Sequence, residues 1–357
     1  MKFIFSGRKI TGMMLIIPQN ERLFINDMKL FSFSEARSRK LMKVMGYDRH
    51  RVVQDGVCAS DLAEFGMTQL FQEGKLMPEE LDALVYVSAC PDHFLPPTSR
   101  ILHGKLGLKQ EALCFDLTQG CCGFEEGLIQ AFLLLEQPEI QKVALVTSDV
   151  LSRKVSERDR NSYPLIGDAA SITIVEKAAD DSQIHGIMKN DGTRCMALQI
   201  PAGAFRLPSS AETAVMTADE EGNYRSLDNL AMDGTTVFNF VMADVPPMLN
   251  ELFTAAGKSI ASYDYFLFHQ PNRFMLQKLA DKLGVPYEKM PANVVEKFGN
   301  SSGTTVPAAT VLNLKNSLTQ RNFSVCFAGF GVGLTWGAVS MNIGPFNFCD
   351  LIEFPNQ

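Results

Sequence analysis

Short runs of apolar residues alternate along the chain with segments in which apolar residues recur every three or four positions. The short runs are typical of buried strands, whereas the three- or four-residue recurrence is typical of one helix face. Their alternation predicts an α/β protein. The predicted strands are residues 83–88, 113–115, 143–147, 171–175, 265–268, 324–328 and 337–342.

The helical recurrence is clearest between the second and third predicted strands. Its members are Phe124, Leu128, Ala131, Phe132 and Leu135. Because proline cannot continue a helix, this helix should end before Pro138. Residues 274–283 and 306–318 are also predicted helices. An apolar run at 13–17 is too short to span a membrane, and we interpret it as a core strand.

The length and composition suit a chain with two related parts. With 357 residues and 46% hydrophobic content, it can bury one large core or two medium ones. We expect related halves at 1–180 and 233–357, joined by a connecting segment at 181–232. Within that segment, residues 209–228 are polar, without an apolar period, and we interpret them as an exposed excursion. A solvated loop is favoured there over a lid.

Charge and cysteine usage restrict the class of protein. The formal net charge of −7 argues against a broad phosphate-binding face for nucleic acid. Eight cysteines show no paired C-x-x-C spacing in a chain too large to need disulfides, which indicates a reducing cytoplasm. The acidic residues show no metal-ligand clustering, so no metal is expected. We interpret Asp116, Asp149 and Asp168 as turn, cap or hydrogen-bonding residues.

The segment Asp-Leu-Thr-Gln-Gly-Cys-Cys-Gly-Phe at 116–124 places a cysteine where a predicted strand gives way to a helix. A helix N-terminus carries unpaired N–H groups and partial positive charge, which favour a thiolate. Cys121 is therefore the candidate nucleophile. Cys122 leaves the assignment open, because adjacent helical residues point about 100° apart and only one can face a pocket.

Two further polar segments stand at the ends of predicted elements. Phe-His-Gln-Pro-Asn at 268–272 ends an apolar strand, and Gly-Asn-Ser-Ser-Gly at 299–303 opens a helix. An isolated histidine is more often structural than catalytic, and Asn300 could be an ordinary helix N-cap. Together with Cys121, however, His269 and Asn300 suggest carbonyl chemistry.

In this order of motifs the chain resembles the β-ketoacyl-acyl-carrier-protein synthase III family of the thiolase superfamily. The resemblance runs from about residue 48 to 341 and implies a thiolase-like five-layer αβαβα fold of two related halves, usually a homodimer. The family's cysteine spacing selects Cys121 over Cys122. The motifs are Asp-x-x-x-x-Cys-x-Gly-Phe at 116–124, Ser-Asp-Val-Leu at 148–151, Gly-Asp-Ala-Ala at 167–170, His-Gln-Pro-Asn at 269–272, Gly-Asn-Ser-Ser at 299–302 and Gly-Phe-Gly-Val-Gly-Leu-Thr-Trp-Gly at 329–337.

The resemblance also implies a mechanism. Cys121 would take an acyl group from acyl-coenzyme A or an acyl-carrier protein (ACP), with the backbone N–H groups of Cys121 and Val332 stabilising the oxyanion. Malonyl-ACP would then be decarboxylated, with His269 and Asn300 donating hydrogen bonds to the enolate oxygen. Apart from these substrates no cofactor is required, and the implied partner is ACP.

The substrate-contacting positions depart from the family pattern. Arg160 matches an arginine that stacks on the adenine of coenzyme A, and Leu95 matches a position that reaches the acyl pocket of the partner subunit. Asn272 belongs to the His-Gln-Pro-Asn motif; where the family has an arginine two residues later, this chain has Phe274, and the nearest arginine is Arg273. The family's tryptophan and a further arginine correspond to Lys40 and Val44. These departures favour an acyl-carrier protein or an unusual thioester over a short acyl-coenzyme A as the acyl donor.

Three alternatives remain at this point. The Gly-Phe-Gly-Val-Gly-Leu-Thr segment is also similar to type III polyketide synthases, although Thr-Trp-Gly and His-Gln-Pro-Asn favour synthase III. Acyl transfer to a hydroxyl or amine would keep the same cysteine and histidine. A non-catalytic thiolase-fold subunit is disfavoured by the complete set of Cys, His and Asn.

Overall fold

The computed structural model describes residues 1–179 and 181–356; the ends of the two predicted halves, residues 180 and 357, lie outside them. The strands are β1 (Lys2–Phe5), β2 (Arg8–Pro18), β3 (Glu21–Leu23), β4 (Arg49–Arg51), β5 (Ala83–Val87), β6 (Leu113–Leu117), β7 (Lys142–Asp149), β8 (Ala169–Lys177), β9 (Ile184–Asn190), β10 (Leu198–Gln199), β11 (Thr217–Ala218), β12 (Tyr224–Arg225), β13 (Ala231–Met232), β14 (Tyr265–Phe268), β15 (Phe323–Gly331), β16 (Thr335–Ile343) and β17 (Phe348–Phe354). The helices are α1 (Phe24–Asp27), α2 (Glu35–Met45), α3 (Ala59–Gln72), α4 (Thr98–Lys105), α5 (Gly123–Leu134), α6 (Gly234–Ala255), α7 (Arg273–Leu283), α8 (Val295–Phe298) and α9 (Thr305–Leu318).

Every strand and helix predicted from the apolar pattern is present, with ends that differ by a few residues. The run at 13–17 is the centre of β2, and all residues of β5 are buried. The predicted helix after β6 is α5, which ends before Pro138 as expected. The local apolar pattern was therefore sufficient to locate these strands and helices. The strands are recognisable because a strand covered on both faces has few polar residues.

Most strands belong to two sheets. One has six strands in the order β17-β2-β8-β7-β5-β6, and the other has five in the order β1-β9-β16-β15-β14. In the first sheet β5 runs parallel to both β6 and β7, while β8 runs antiparallel to β7 and β2. In the second, β14 is parallel to β15, and β16 is antiparallel to it. Each sheet is therefore mixed.

Helices cover both faces of both sheets. The central helices α5 and α9 contact strands of each sheet, α3 and α4 pack on the first sheet, and α6 packs on the second beside α7. The central layer is tightly packed: the rings of Phe124 on α5 and Phe327 on β15 meet edge to face at 5.3 Å. The order of layers is helix, sheet, helix, sheet, helix. The predicted five-layer αβαβα fold is confirmed.

The sheets do not coincide with consecutive pieces of the chain. The first strand, β1, pairs with β9 in the second sheet, and the last strand, β17, pairs with β2 in the first. Moreover, β9 lies within the segment expected to connect the halves, yet it pairs with β16 over six residues. An apolar run predicts that a strand is buried but not which sheet receives it. Among the described residues, no helix combines the length and apolar character needed to cross a membrane.

Candidate active site

The two adjacent cysteines lie in a tight turn between β6 and α5. The Gly123 N–H donates to the Gly120 carbonyl at 2.7 Å, and α5 begins at Gly123, so Cys121 precedes the first helical residue by two positions. Cys121 is partly exposed and lines a cavity, whereas Cys122 is fully buried. Of the two thiols, it is Cys121 that faces the cavity.

Glycine at position 331 allows β15 to pass directly over Cys121. A Cβ at Gly331 would lie 2.7 Å from the Cys121 Sγ, which is closer than real Cβ atoms approach a neighbour. A Cβ at Gly120 would likewise lie 2.8 Å from Cγ1 of Val332. These glycines bring the turn that follows β15 against the thiol. Val332 follows Gly331 directly and is brought next to Cys121.

Burial raises the pKa of the Cys121 thiol to about 11. Hydrogen bonding from the Val332 backbone lowers this pKa, the negative charge of Asp149 raises it, and hydrogen bonding from the Ser302 side chain and from the Cys121 backbone lowers it. The expectation of a thiolate stabilised by the helix N-terminus is therefore wrong for the free protein. The cost of desolvating a charged sulfur exceeds what the nearby N–H groups return.

The rate of Cys121 alkylation should therefore keep increasing at pH values at which the rate for an ordinary cysteine has already reached its maximum. A thiol with a pKa near 11 is protonated at pH 8, and its thiolate fraction rises about tenfold per pH unit through pH 10, whereas a free thiol saturates above its pKa of about 8.5. Iodoacetamide labelling followed by peptide mapping of Cys121 measures this profile. A plateau reached by pH 8 would contradict the raised pKa of Cys121.

His269 ends β14 and is held by its neighbours. Its backbone N–H donates to the Ala328 carbonyl at 2.7 Å, and its Nδ1 lies 2.7 Å from the Thr305 hydroxyl oxygen. Only 2% of the residue is exposed, and desolvation lowers the pKa of the imidazole to about 3. The ring is therefore neutral at physiological pH. With Nδ1 engaged by Thr305, Nε2 is the nitrogen left for a substrate.

Asn300 is fixed at both its backbone and its side-chain oxygen. Its N–H donates to the Leu165 carbonyl at 2.7 Å, and its Oδ1 accepts from the Ser302 N–H at 2.9 Å. Ser302 has φ of +57°, the left-handed region that a non-glycine residue rarely adopts without a strong local constraint. The cap-like bond to Ser302 occupies Oδ1, so the amide Nδ2 group is the part of Asn300 that can donate to a ligand.

One cavity of about 510 Å³ brings the three candidate residues together. Cys121, His269 and Asn300 all line it, although they come from the turn before α5, the end of β14 and the turn before α9. A second cavity of about 210 Å³ also reaches Cys121 and Asn300. Its other walls are mainly aliphatic, including Leu151, Leu165 and Ile200. The thiol therefore lies where a cavity with a mixed polar and apolar lining meets a cavity that is almost entirely apolar.

Comparison with known proteins places both halves of this site in one family. The profile described as 3-oxoacyl-[acyl-carrier-protein] synthase III matches residues 115–192, and the profile of its C-terminal part matches residues 253–343. The beta-ketoacyl-[acyl-carrier-protein] synthase III of Lactococcus lactis is 30% identical over 338 residues, covering 94% of this chain and 99% of the relative. The chain belongs to the 3-oxoacyl-[acyl-carrier-protein] synthase III family.

Two further relatives agree with this placement. The synthase III of Synechocystis is 33% identical over 263 residues, covering 74% of this chain and 77% of that protein. The crystal structure of a 3-oxoacyl-(acyl-carrier protein) synthase from Burkholderia xenovorans LB400 superposes with a TM-score of 0.92 at 31% identity and covers 99% of each chain. The similarity extends over almost the whole chain. The protein is thus a synthase III-like condensing enzyme, which is a type of acyltransferase.

The positions predicted to contact substrate lie in different parts of the structure. Arg160, Asn272 and Phe274 line the larger cavity, and the Asn272 Oδ1 also accepts from the Met275 N–H at 2.8 Å to cap α7. Arg273 does not line that cavity; it pairs with Glu296. Leu95 is 83% exposed and lies in neither cavity of its own chain.

The polar excursion at 209–228 is largely exposed, as expected, but it is not only a solvated loop. The preference for a solvated loop is therefore wrong. Most of it is exposed, but Asp219, Glu221 and Arg225 line the larger cavity, which also reaches Cys121. Its short strands β11 and β12 form a hairpin that Asp219 holds together through Asn223 and Arg225. Hydrogen bonding to polar and charged partners replaces apolar packing there, so no hydrophobic period reveals it.

The hydroxyl residues Thr305 and Ser302 also belong to the candidate site, although neither was assigned a role from the sequence. Thr305 holds the His269 ring, and its own hydroxyl donates to the Ser302 carbonyl at 2.9 Å. Ser302 lines the smaller cavity with Cys121. The Gly-Asn-Ser-Ser motif contains Ser302 and so offered a signal, whereas Thr305 could be recognised only once α9 was placed against β14.

The three aspartates interpreted as hydrogen-bonding residues do have that role. Asp116 accepts from the backbone N–H groups at the start of α4 at 2.7 and 2.8 Å, Asp149 accepts from the Ala89 N–H at 2.8 Å, and Asp168 accepts from the Val53 N–H at 2.9 Å. Burial raises the pKa of Asp149 to about 7 and that of Asp168 to about 6. Across residues 1–179 and 181–356, no cluster of three metal-ligating side chains occurs.

Proposed function

We propose that this protein loads an acyl group onto Cys121 and then condenses it with malonyl-ACP to give a β-ketoacyl-ACP. The observation that carries the proposal is the meeting of Cys121, His269 and Asn300 around one cavity, with an apolar second cavity beginning at the same thiol. A nucleophile, two hydrogen-bond groups and space for a chain are what a decarboxylative Claisen condensation requires. Membership of the synthase III family supports the same reaction.

The loading step transfers an acyl group between sulfur atoms. The Cys121 Sγ bonds to the thioester carbonyl carbon of the donor, the donor's carbon–sulfur bond breaks, and the thiol proton passes to the departing thiolate. Backbone groups of Cys121 and Val332 hydrogen-bond toward the sulfur, so their N–H groups are suited to the oxyanion. Such a donor is typically worth about 3 kcal/mol of barrier. Since the thiol is protonated at rest, proton loss accompanies attack.

The condensation step needs stabilisation of an enolate. Loss of carbon dioxide from malonyl-ACP leaves negative charge on the thioester oxygen, and the enolate carbon then attacks the acyl-Cys121 carbonyl, which releases the Cys121 sulfur. Nδ2 of Asn300 and Nε2–H of His269 are the donors proposed for that oxygen. The low pKa of His269 keeps the ring neutral. The Thr305 hydroxyl has one proton, which it can donate either to the Ser302 carbonyl or to Nδ1. The proposed enolate contact uses the second arrangement, in which the ring proton lies on Nε2.

The smaller cavity is proposed to hold the acyl chain. Aliphatic side chains line most of its 210 Å³. A protein cavity of about 150 Å³ accommodates the six carbons of benzene, so the volume here suits roughly six to eight carbons. Longer chains would need the walls to move or the partner subunit to enlarge the space.

We propose that the protein is a homodimer. Phe94 and Leu95 are exposed by 63% and 83%, and the Phe94 ring packs at 5.1 Å on Phe205, which is 86% exposed. In addition, β6 is an edge strand of the six-stranded sheet, with Leu113 43% exposed. Exposed aromatic residues together with an open strand edge favour a self-complementary interface.

Sedimentation at micromolar concentration should therefore give about twice the chain mass of 39.5 kDa. Leu95→Asp should shift the protein toward the monomer, because a carboxylate would be buried without a partner at the interface. Ile4→Asp changes an equally apolar, 64% exposed residue on a different strand edge and serves as the control. A wild-type monomer that remains active would remove Leu95 from any acyl pocket.

The eight cysteines are all free, which supports the proposed location in a reducing cytoplasm.

The function itself is tested by incubating the protein with an acyl thioester and malonyl-ACP and recording the mass of the carrier. The expected product is ACP bearing the acyl chain extended by two carbons as a β-ketone. Acyl transfer to a hydroxyl or amine, with malonyl-ACP unchanged, would overturn the proposal.

A further inference from the structure

Positively and negatively charged side chains form two separate groups on elements that line the larger cavity. Leu41 and Met45 of α2 line the cavity, while the outer surface of this helix carries Arg37, Arg39, Lys40 and Lys43, all exposed. Against these four cations stands one carboxylate, Glu35, so α2 contributes a net +3 in a chain whose net charge is −7. Glu35 pairs with Arg39 at 2.7 Å.

The side chains of Lys40 and Lys43, unlike that of Arg39, are not paired with a carboxylate. Throughout the described ranges 1–179 and 181–356, neither side chain has a hydrogen bond or an ion pair. The exposed Val44 lies beside them, 40% accessible to solvent. Two free ammonium groups around an exposed apolar side chain suit an acidic, amphipathic protein surface. The contact would lie directly beside the opening that leads to Cys121.

The hairpin next to α2 has the opposite charge. Residues 219–225 carry three carboxylates and one arginine, a net −2, and they pack against the segment before α2, where a Cβ at Gly222 would lie 3.4 Å from the Ser32 hydroxyl. The Phe33 ring lies between the guanidinium groups of Arg37, at 3.8 Å, and Arg160, at 4.3 Å. The acidic hairpin and the cationic helix therefore adjoin at the cavity mouth.

Three of the five guanidinium N–H groups of Arg160 donate to this hairpin. Its Nη1 donates to the Glu221 carbonyl and to the Asn223 Oδ1, both at 2.8 Å, and its Nη2 pairs with the Glu221 carboxylate at 2.7 Å. One face of the guanidinium is covered by Phe33. An anionic ligand that approaches Nη2 of Arg160 would compete with the Glu221 carboxylate, and Asp219 and Asp233 line the same cavity.

We propose that an acidic carrier protein docks on the outer surface of α2 through Lys40 and Lys43, and that the hairpin excludes nucleotide-bearing thioesters such as acyl-coenzyme A. The inference rests on the proposed function and specifies how its acyl donor is delivered. A carrier presents the acyl group on a slender pantetheine arm and leaves its charged surface on α2. Coenzyme A brings an adenine nucleotide with several phosphate charges to the mouth itself, where the carboxylates repel it.

The first experiment compares one acyl group on three donors: ACP, coenzyme A and pantetheine. Intact-protein mass spectrometry gives the rate of Cys121 acylation for each. The double variant Lys40→Glu/Lys43→Glu should lower kcat/KM for the ACP donor about tenfold or more, with weaker salt dependence, and leave the pantetheine rate unchanged. Lys315→Glu reverses an exposed charge on α9, away from the mouth, and should leave all three rates unchanged.

The second experiment removes the acidic partner of Arg160. Glu221→Gln should raise the loading rate from acyl-coenzyme A several-fold and leave the rate from acyl-pantetheine unchanged, because pantetheine lacks the nucleotide. Glu212→Gln is the control, since Glu212 lies in the same excursion but bonds Ser210 outside the cavity. Wild-type loading from coenzyme A at a rate equal to or above that from ACP would overturn the inference alone. Absence of loading from all three donors would overturn the proposed function, and this inference with it.

Discussion

Replacing Cys121 with serine is expected to abolish acyl loading, with a fall on the order of a thousandfold or more. A serine hydroxyl is a much weaker nucleophile at neutral pH, and no other thiol of the turn reaches the cavity. Cys122→Ser should retain most of the loading, because Cys122 is fully buried and does not line either cavity at the site. Acyl transfer is followed by intact mass, and the adduct is located by peptide mapping.

The pair of variants is a matched control, since each exchanges one sulfur for oxygen in adjacent residues. Burying a serine hydroxyl at 122 without a partner costs about 1–3 kcal/mol of folding free energy, so thermal unfolding of both variants should be recorded. Loading that persists in Cys121→Ser, or an acyl label found on Cys122, would overturn the assignment of the nucleophile.

Asn300→Ala and His269→Ala are expected to separate the two half-reactions. Both variants keep the thiol and the backbone N–H groups, so acyl loading should persist, whereas decarboxylation should fall about 100- to 1000-fold for each lost donor to the enolate. Release of labelled carbon dioxide from malonyl-ACP measures the second step, and intact mass measures the first.

Asn293→Ala is the control for these variants. Asn293 lies before α8 and bonds Asn313 outside the larger cavity, so its removal should leave both half-reactions unchanged. Normal carbon dioxide release in both Asn300→Ala and His269→Ala would refute the proposed enolate contacts. Loss of acyl loading in His269→Ala would instead give His269 a part in the first step.

The secondary structure was predictable because buried strands and amphipathic helices leave periodic apolar patterns. The run at 13–17 predicted β2, and the recurrence from Phe124 to Leu135 predicted α5. The pairing of β1 with β9 and of β17 with β2 was not predictable in the same way. Partner choice depends on how the two sheets close around α5 and α9, which no single segment encodes.

The grouping of Cys121, His269 and Asn300 followed from motif order, and the structure places all three around one cavity. Their electrostatics did not follow. The helix terminus alone predicts a lowered thiol pKa for Cys121, but burial by β15 raises it, and that burial involves a strand about 200 residues away in the chain. The hairpin at 217–225 was missed because polar contacts with Arg160 hold it in place.

Intact-protein mass spectrometry in two stages tests the central claim most directly. Incubation with an acyl thioester should add the mass of one acyl group per chain, mapped to Cys121. Subsequent malonyl-ACP should remove that mass and yield β-ketoacyl-ACP together with carbon dioxide. An acyl adduct on Cys121 that malonyl-ACP leaves in place, or that water or an amine removes while malonyl-ACP stays intact, would contradict a condensing function.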